Sequence, residues 1–200
     1  MFKRFSETIV NSACERDIIK NEDKEESIYG LNTFLTLAVN VLSAALIGLI
    51  FHMLIETALF IFVYRSLRKY IGGSHADTAL RCYISSCMTY VAVLVFIKYY
   101  PISSMATTVL MACSMLVLWI LAPIEAPKKP LDEIEHKVFR RRSHITIIIC
   151  LCVFLILHYI PNQYTYYCSN ITAVSVYAVT LFAVIGKVKL KEALIKYSTQ

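Results

Sequence analysis

Residues 70–82 read YIGGSHADTALRC. His75 precedes Cys82 by seven residues, and Gly72-Gly73 stands just ahead of the histidine. A cysteine becomes a strong nucleophile when a neighbouring base takes its proton, and histidine is the commonest such base. A helix N-terminus close by, and the cation Arg81, would favour the thiolate. The pair therefore reads as a candidate thiol peptidase or acyl-transfer site. Seven residues on one straight helix place two side chains on the same face but about 10.5 Å apart along the axis. A base must come within about 3 Å of its proton. So His75 and Cys82 cannot work as a pair on one straight helix. Gly72-Gly73 can take backbone angles closed to other residues, which lets His75 lie on a turn. Ser74, Asp77 or Thr78 can cap the helix that follows, with Cys82 in its first turns. Pairing across a dimer is the other solution. By spacing alone, His-x6-Cys is a weak signal in a chain with 5 His and 7 Cys.

The elements that must position this stretch are membrane helices. Of 200 residues, 58% are hydrophobic and 17% charged, with mean hydropathy +0.60. A soluble domain is closer to half apolar and a quarter charged. The charges also cluster: residues 31–64 hold only Glu56, residues 82–121 only Lys98, and residues 143–186 none. Runs of about 18 or more apolar residues read as transmembrane helices. The sequence thus predicts an all-α polytopic membrane protein, with about six hydrophobic segments: 31–48, 50–66, 80–99, 102–122, 143–160 and 168–186. Gly48 lies near the expected break between the first two. Either of those two could be tilted or re-entrant rather than a full span. Pro101 and Pro161 mark the short turns between the later pairs.

Residues 1–29 form an expected N-terminal segment lying on the membrane surface. Phe2, Phe5, Ile9 and Ala13 share a helical stripe with Val10 beside it, which suits an amphipathic interfacial helix. This segment lacks the apolar core of a cleavable signal, so the first membrane segment is expected to act as its own insertion signal. Residues 30–190 would form one membrane domain with a catalytic loop at 65–82 and a basic loop at 123–142, followed by a tail at 191–200. Arg65, Arg68, Lys69 and Arg81 lie in the first loop, and six cations, Lys128 and Arg140 among them, in the second. Four lysines lie near the C-terminus, whereas the opposite turns hold only Lys98. Basic connectors remain on the cytoplasmic side, so both termini and the His75–Cys82 stretch are expected there. The net charge of +6 comes from these borders and does not point to nucleic acid.

The stretch RKYIGGSHADTALRCYISS resembles the signature of the accessory gene regulator protein B family, bacterial membrane peptidases that mature quorum-sensing peptides. Arg68, Gly72, Gly73, His75, Ala76, Arg81, Cys82 and Tyr83 match its pattern. The amphipathic N-terminus, the hydrophobic hairpins and a basic loop opening Ala122-Pro123 and containing Lys129-Pro130 extend the likeness over most of the chain. Asp77 departs from it, standing where a lysine is frequent. The resemblance implies that Cys82 attacks a peptide bond of a small propeptide, with His75 as general base. The acidic tail leaves, and the remainder stays on Cys82 as a thioester. A Cys or Ser within the peptide then closes a thiolactone or lactone ring. Arg68, Gly72, Gly73, Asp77 and Arg81 would support the site. Lys128, Lys129, Arg140, Arg141 and Arg142 could hold the tail. The family's partners are such a propeptide and the bacterial cell membrane. The resemblance also allows a homodimer, and it calls for no metal and no cofactor.

Other residues carry weaker signals. Asp77 or Glu125 could orient His75, although Asp77 is better placed to cap the helix. Cys87, five residues beyond Cys82, is the decoy for the nucleophile. The remaining cysteines, with no framework spacing, read as reduced apolar side chains. His52, His144 and His158 read as interface or packing residues. Glu56, a charge within an apolar run, is a functional suspicion by default. Two rival functions follow from these residues. A transporter or exporter would use Glu56 and the bundle, and a non-catalytic membrane scaffold would bind partners through the basic loop.

Overall fold

The computed structural model describes residues 2–72, 78–100, 102–124 and 132–198, with side chains described as far as residue 192. Gly73, Ser74, His75, Ala76, Asp77, Pro101, Glu125, Lys128 and Lys129 lie outside the described residues. Helix α1 is Lys3–Glu15, and a 3-10 turn at Asn21–Asp23 leads into α2, Lys24–Phe51. Then follow α3 Leu54–Ile71, α4 Ala79–Tyr99, α5 Ser104–Leu121, α6 Glu133–Tyr159 and α7 Gln163–Ser198. Among the described residues there is one isolated β-bridge and no strand. The protein is an all-α polytopic membrane protein. Helices α2, α4, α5, α6 and α7 are each long and apolar enough to cross a membrane. The sixth hydrophobic segment, α3, carries Glu56, Arg65, Arg68 and Lys69 within 18 residues, and these charges set it apart from the other five.

The chain reverses between α2 and α3 at His52–Met53, four residues after Gly48. His52 takes the left-handed conformation at φ 56°, and the Met53 N–H bonds to the Gly48 carbonyl at 2.8 Å. Gly48 does not break the helix. It is buried, and a Cβ there would stand 2.7 Å from Thr57 Oγ1 and 3.3 Å from Leu54 Cα. Its small size lets α3 close onto α2.

Helices α6 and α7 run beyond their apolar windows. Helix α6 starts at Glu133 rather than near 143, because the Asp132 side chain and Glu135 form a capping box before the basic turn. Helix α7 starts at Gln163 and continues to Ser198. Hydropathy marks where a helix meets lipid, whereas caps and backbone hydrogen bonds decide where it ends.

Helix α7 is the hub. Its middle is buried on nearly every side and is built of small residues: Ser169, Thr172, Ala173, Ser175, Ala178, Thr180 and Ala183. Small side chains let neighbouring helices approach closely, which is how packing holds bundles together in lipid. One core cluster joins Leu67, Ile71, Leu118, Ile147, Phe154 and Val176 from α3, α5, α6 and α7. A second joins Ala44, Phe60, Leu94 and Ile171 from α2, α3, α4 and α7. Leu46 and Ile50 of α2, Ile120 of α5 and Ile156 of α6 face outward, as a lipid-facing surface requires.

At one end of the bundle the Lys98 ammonium donates to the Phe51 carbonyl at 3.2 Å, joining the α2–α3 turn to the end of α4. The Tyr166 hydroxyl donates to the Ile102 carbonyl at 2.8 Å in the same region. At the other end the Ile124 N–H donates to the Ile71 carbonyl at 2.8 Å. The cations Arg65, Arg68, Lys69 and Lys189 gather at that end. Helix α1 packs along α2: Ser6 and Val10 are buried, and the Phe2 N–H bonds to Asn32 Oδ1 at 3.1 Å. Phe5 and Ile9 of the sequence-predicted apolar stripe remain exposed.

Candidate functional site

Cys82 is the fourth residue of α4, half-buried and reduced. Thr78 is the N-cap, its side chain accepting from the Arg81 N–H at 3.3 Å. Its carbonyl takes the first helical bond, from the Cys82 N–H at 3.0 Å. A threonine cap satisfies one of the orphan amides of a first turn and fixes where that turn begins. Of the three residues expected to be able to start the helix, Thr78 does so, and the cysteine lies in the first turns.

The preceding helix ends at Gly72, which stands at φ 79° and ψ −146°. A side chain there would strain the backbone and would also collide with the Ile124 carbonyl oxygen. Gly72 and Ile124 form a parallel bridge. The glycine is required twice, by its own dihedral and by the close approach of the Ala122-Pro123-Ile124 strap.

Arg68 lies one turn before Gly72. Its Nη1 donates to the Tyr64 hydroxyl at 2.7 Å, and its guanidinium stands 4.9 Å from the centre of the Phe182 ring. Arginine stacks on aromatic faces while still donating in its own plane. Arg68 therefore ties α3 to α7 next to the loop entrance.

Cys82 opens on a cavity of about 1070 Å³ between α2, α3, α4 and α7. That size matches the upper end of ordinary ligand pockets. Its α4 wall continues from Cys82 through Ser85, Ser86 and Thr89, the same face at helical spacing. Its α2 wall is Asn32, Thr33, Thr36 and Asn40. Arg65, Arg68 and Lys69 of α3 and Lys189 of α7 line it as well, and no carboxylate does among the described residues. The site is a chamber in which cations and polar side chains stand among apolar ones such as Leu37, Phe182 and Ile185, with one thiol in its wall.

Arg81 is exposed and does not line the chamber. Arg140, Arg141 and Arg142 are exposed on α6 and do not line it either. Cys87 lies on another face of α4, outside the lining. Glu56 stands in the first turn of α3, at the opposite end of the bundle from Cys82, and lines neither the chamber nor the smaller cavity near Lys98. His144 stacks on Trp119, ring centres 4.0 Å apart. His158 meets Ser104 at 2.9 Å and Ser169 at 3.1 Å. Both act as packing residues with partners on other helices.

Sequence reasoning missed Asn32, Thr36 and Asn40, and read Arg65, Lys69 and Lys189 only as cations that set topology. A signal for the first three exists: polar side chains at i, i+4 and i+8 within an apolar run, all on one helical face.

The chain is similar in sequence to known proteins. An AgrB-like protein of Clostridium perfringens strain SM101 is 24% identical over 155 residues, 74% of this chain and 72% of its own. The accessory gene regulator protein B of Staphylococcus saprophyticus is 26% identical over 117 residues, covering 58% of this chain and 60% of its own. That of Staphylococcus aureus strain Newman is 27% identical over 90 residues, 45% of this chain and 46% of its own. No solved structure matches the chain. The sequence profile described as Accessory gene regulator B matches residues 3–185, and the chain therefore belongs to the accessory gene regulator B family.

Proposed function

We propose that this protein is a membrane cysteine endopeptidase that processes and cyclises a quorum-sensing propeptide. The observation that supports this most is the position of Cys82: a half-buried thiol in the first turns of α4, lining a large chamber that also holds Arg65, Arg68, Lys69 and Lys189. Cys82 Sγ attacks the carbonyl carbon of the bond to be cut, and His75 takes the thiol proton. The tetrahedral adduct collapses, the C–N bond breaks, and His75 returns the proton to the departing amine of the tail. The rest of the peptide remains on Cys82 as a thioester. A thiol or hydroxyl within the peptide then attacks that thioester carbonyl, giving the ring and regenerating the thiol of Cys82. Excluding water lets ring closure compete with hydrolysis.

Arg68, Gly72, Gly73 and Asp77 would shape the loop, with Arg81 at the helix start. The acidic tail would be held by cations: Arg65, Lys69 and Lys189 line the chamber, and Lys128, Lys129 and Arg140 to Arg142 belong to the basic loop and the start of α6. The basic end of the bundle would face the cytoplasm of a bacterial cell, with both termini on that side. A homodimer is compatible with this arrangement.

The test is co-expression with a tagged candidate propeptide, encoded by a short neighbouring reading frame with a Cys or Ser before an acidic tail. Cys82→Ala and Cys87→Ala versions are run beside the unaltered chain. Cleavage lost with Cys82→Ala and kept with Cys87→Ala, at equal protein in the membrane, is the expected result. Cleavage that persists without Cys82 overturns the mechanism.

A further inference from the structure

Asn32, Thr36 and Asn40 put amide and hydroxyl groups on one face of a helix long enough to span the bilayer. Polar groups in such a helix are costly unless they pair or line an aqueous path. These three line the Cys82 chamber. Two of them have spent a proton on their own helix: Thr36 Oγ1 donates to the Asn32 carbonyl at 2.8 Å, and Asn40 Nδ2 to the Thr36 carbonyl at 2.8 Å. What Thr36 turns to the chamber is an oxygen lone pair, and Asn40 keeps its carbonyl oxygen as an acceptor.

The α4 wall repeats the arrangement. Ser86 Oγ donates to the Cys82 carbonyl at 3.0 Å, and Thr89 Oγ1 to the Ser85 carbonyl at 2.8 Å. A hydrogen bond between Ser43 and the Tyr83 hydroxyl, 2.7 Å long, ties the turn after Asn40 to the residue after Cys82. The acceptor stripe is thus fastened beside the thiol.

The chamber is therefore two-sided. Thr36, Asn40, Ser86 and Thr89 present acceptors on the α2 and α4 walls, whereas the cations lie on α3 and α7. A ligand that fits carries N–H donors along one side and negative charge on the other. Asn32 to Asn40 spans about 12 Å at 1.5 Å per residue, the length of three or four extended residues.

We infer that Thr36 and Asn40 on the α2 stripe accept from backbone N–H groups of the ring-forming part of the peptide, and so hold it in register with Cys82. This rests on the peptidase reading above and deepens it. The stripe binds substrate rather than reacting with it, so its loss weakens binding more than turnover.

The test uses synthetic propeptide and the full chain in proteoliposomes. Thr36→Val and Asn40→Leu are each expected to raise KM about tenfold, with kcat changed less than threefold. A propeptide N-methylated at single positions before the cut bond should lose about tenfold in kcat/KM on the unaltered chain at one or two positions. The same methylation should add little loss on the matching α2 variant, a non-additivity that a merely structural role does not produce. Where a variant fails to fold, a benzophenone placed before the cut bond is crosslinked to the Cys82→Ala chain, and the adduct is expected within residues 32–40. Unchanged KM in both folded variants, or adducts confined to other helices, overturns the α2 assignment. Cys82-dependent cleavage would then leave the peptidase reading standing, whereas cleavage by the Cys82→Ala chain would remove that reading itself.

Discussion

Gly72 and Ile124 are joined by a parallel backbone bridge, and the Ile124 N–H donates to the carbonyl of the neighbouring Ile71 at 2.8 Å. The stretch that contains His75 and the stretch that contains Lys128 and Lys129 are thus entered from one point. Gly72→Ala would place a side chain at φ 79° and against the Ile124 oxygen. Any other residue held in this essentially glycine-only backbone region costs about 1–3 kcal/mol. The expected outcome is a loss of cleavage of at least about tenfold, with helical circular dichroism unchanged. Full activity in Gly72→Ala would show that the bridge does not set the loop.

Arg68 is gripped by the Tyr64 hydroxyl and the Phe182 ring. Lysine keeps the charge but lacks the planar fork and stacks less well. Arg68→Lys is expected to lose about tenfold in kcat/KM, a cost on the order of 1 kcal/mol. An assay in which Arg68→Lys matches the parent would reduce this residue to a positive charge.

The chamber's cations make their own prediction. Lys189→Glu puts an acid beside the thiol's chamber, whereas Arg141→Glu changes a charge outside it. With an acid-tailed propeptide at low salt, Lys189→Glu should weaken kcat/KM about tenfold and Arg141→Glu clearly less, both differences shrinking as salt rises. The reverse ranking would move the tail's site to α6.

Two glycines of α2 should behave oppositely. At Gly48 a Cβ meets Thr57 Oγ1 at 2.7 Å, whereas at Gly30 it meets nothing within 4 Å. Gly48→Ala should destabilise by about 1–3 kcal/mol through overpacking. Gly30→Ala should be neutral or stabilise by about 0.5–1 kcal/mol, since alanine favours a helix interior. Thermal unfolding in detergent distinguishes them, and equal Tm values would refute the packing role of Gly48.

Much of this protein is legible in the order of its residues. Apolar runs between clustered charges fix membrane helices because lipid offers no partner for a bare backbone, and the Gly-Gly-x-His motif before Cys82 is where the proposed chemistry is read. Thr78 as a cap and Cys82 in the first turns follow from local rules that act within four residues. The helix ends of α6 and α7 are less legible, because hydropathy falls where lipid ends while backbone bonding continues. The tertiary structure alone decides which helix faces meet. It brings Asn32, Thr36 and Asn40 opposite Ser86 and Thr89, adds Lys189 from α7, more than a hundred residues along the chain from Cys82, and leaves Arg140 to Arg142 outside. Local sequence carries a side chain's character and its place on a helix. The partner it faces depends on packing among distant segments, where small residues such as Gly48 and Ala173 allow close approach.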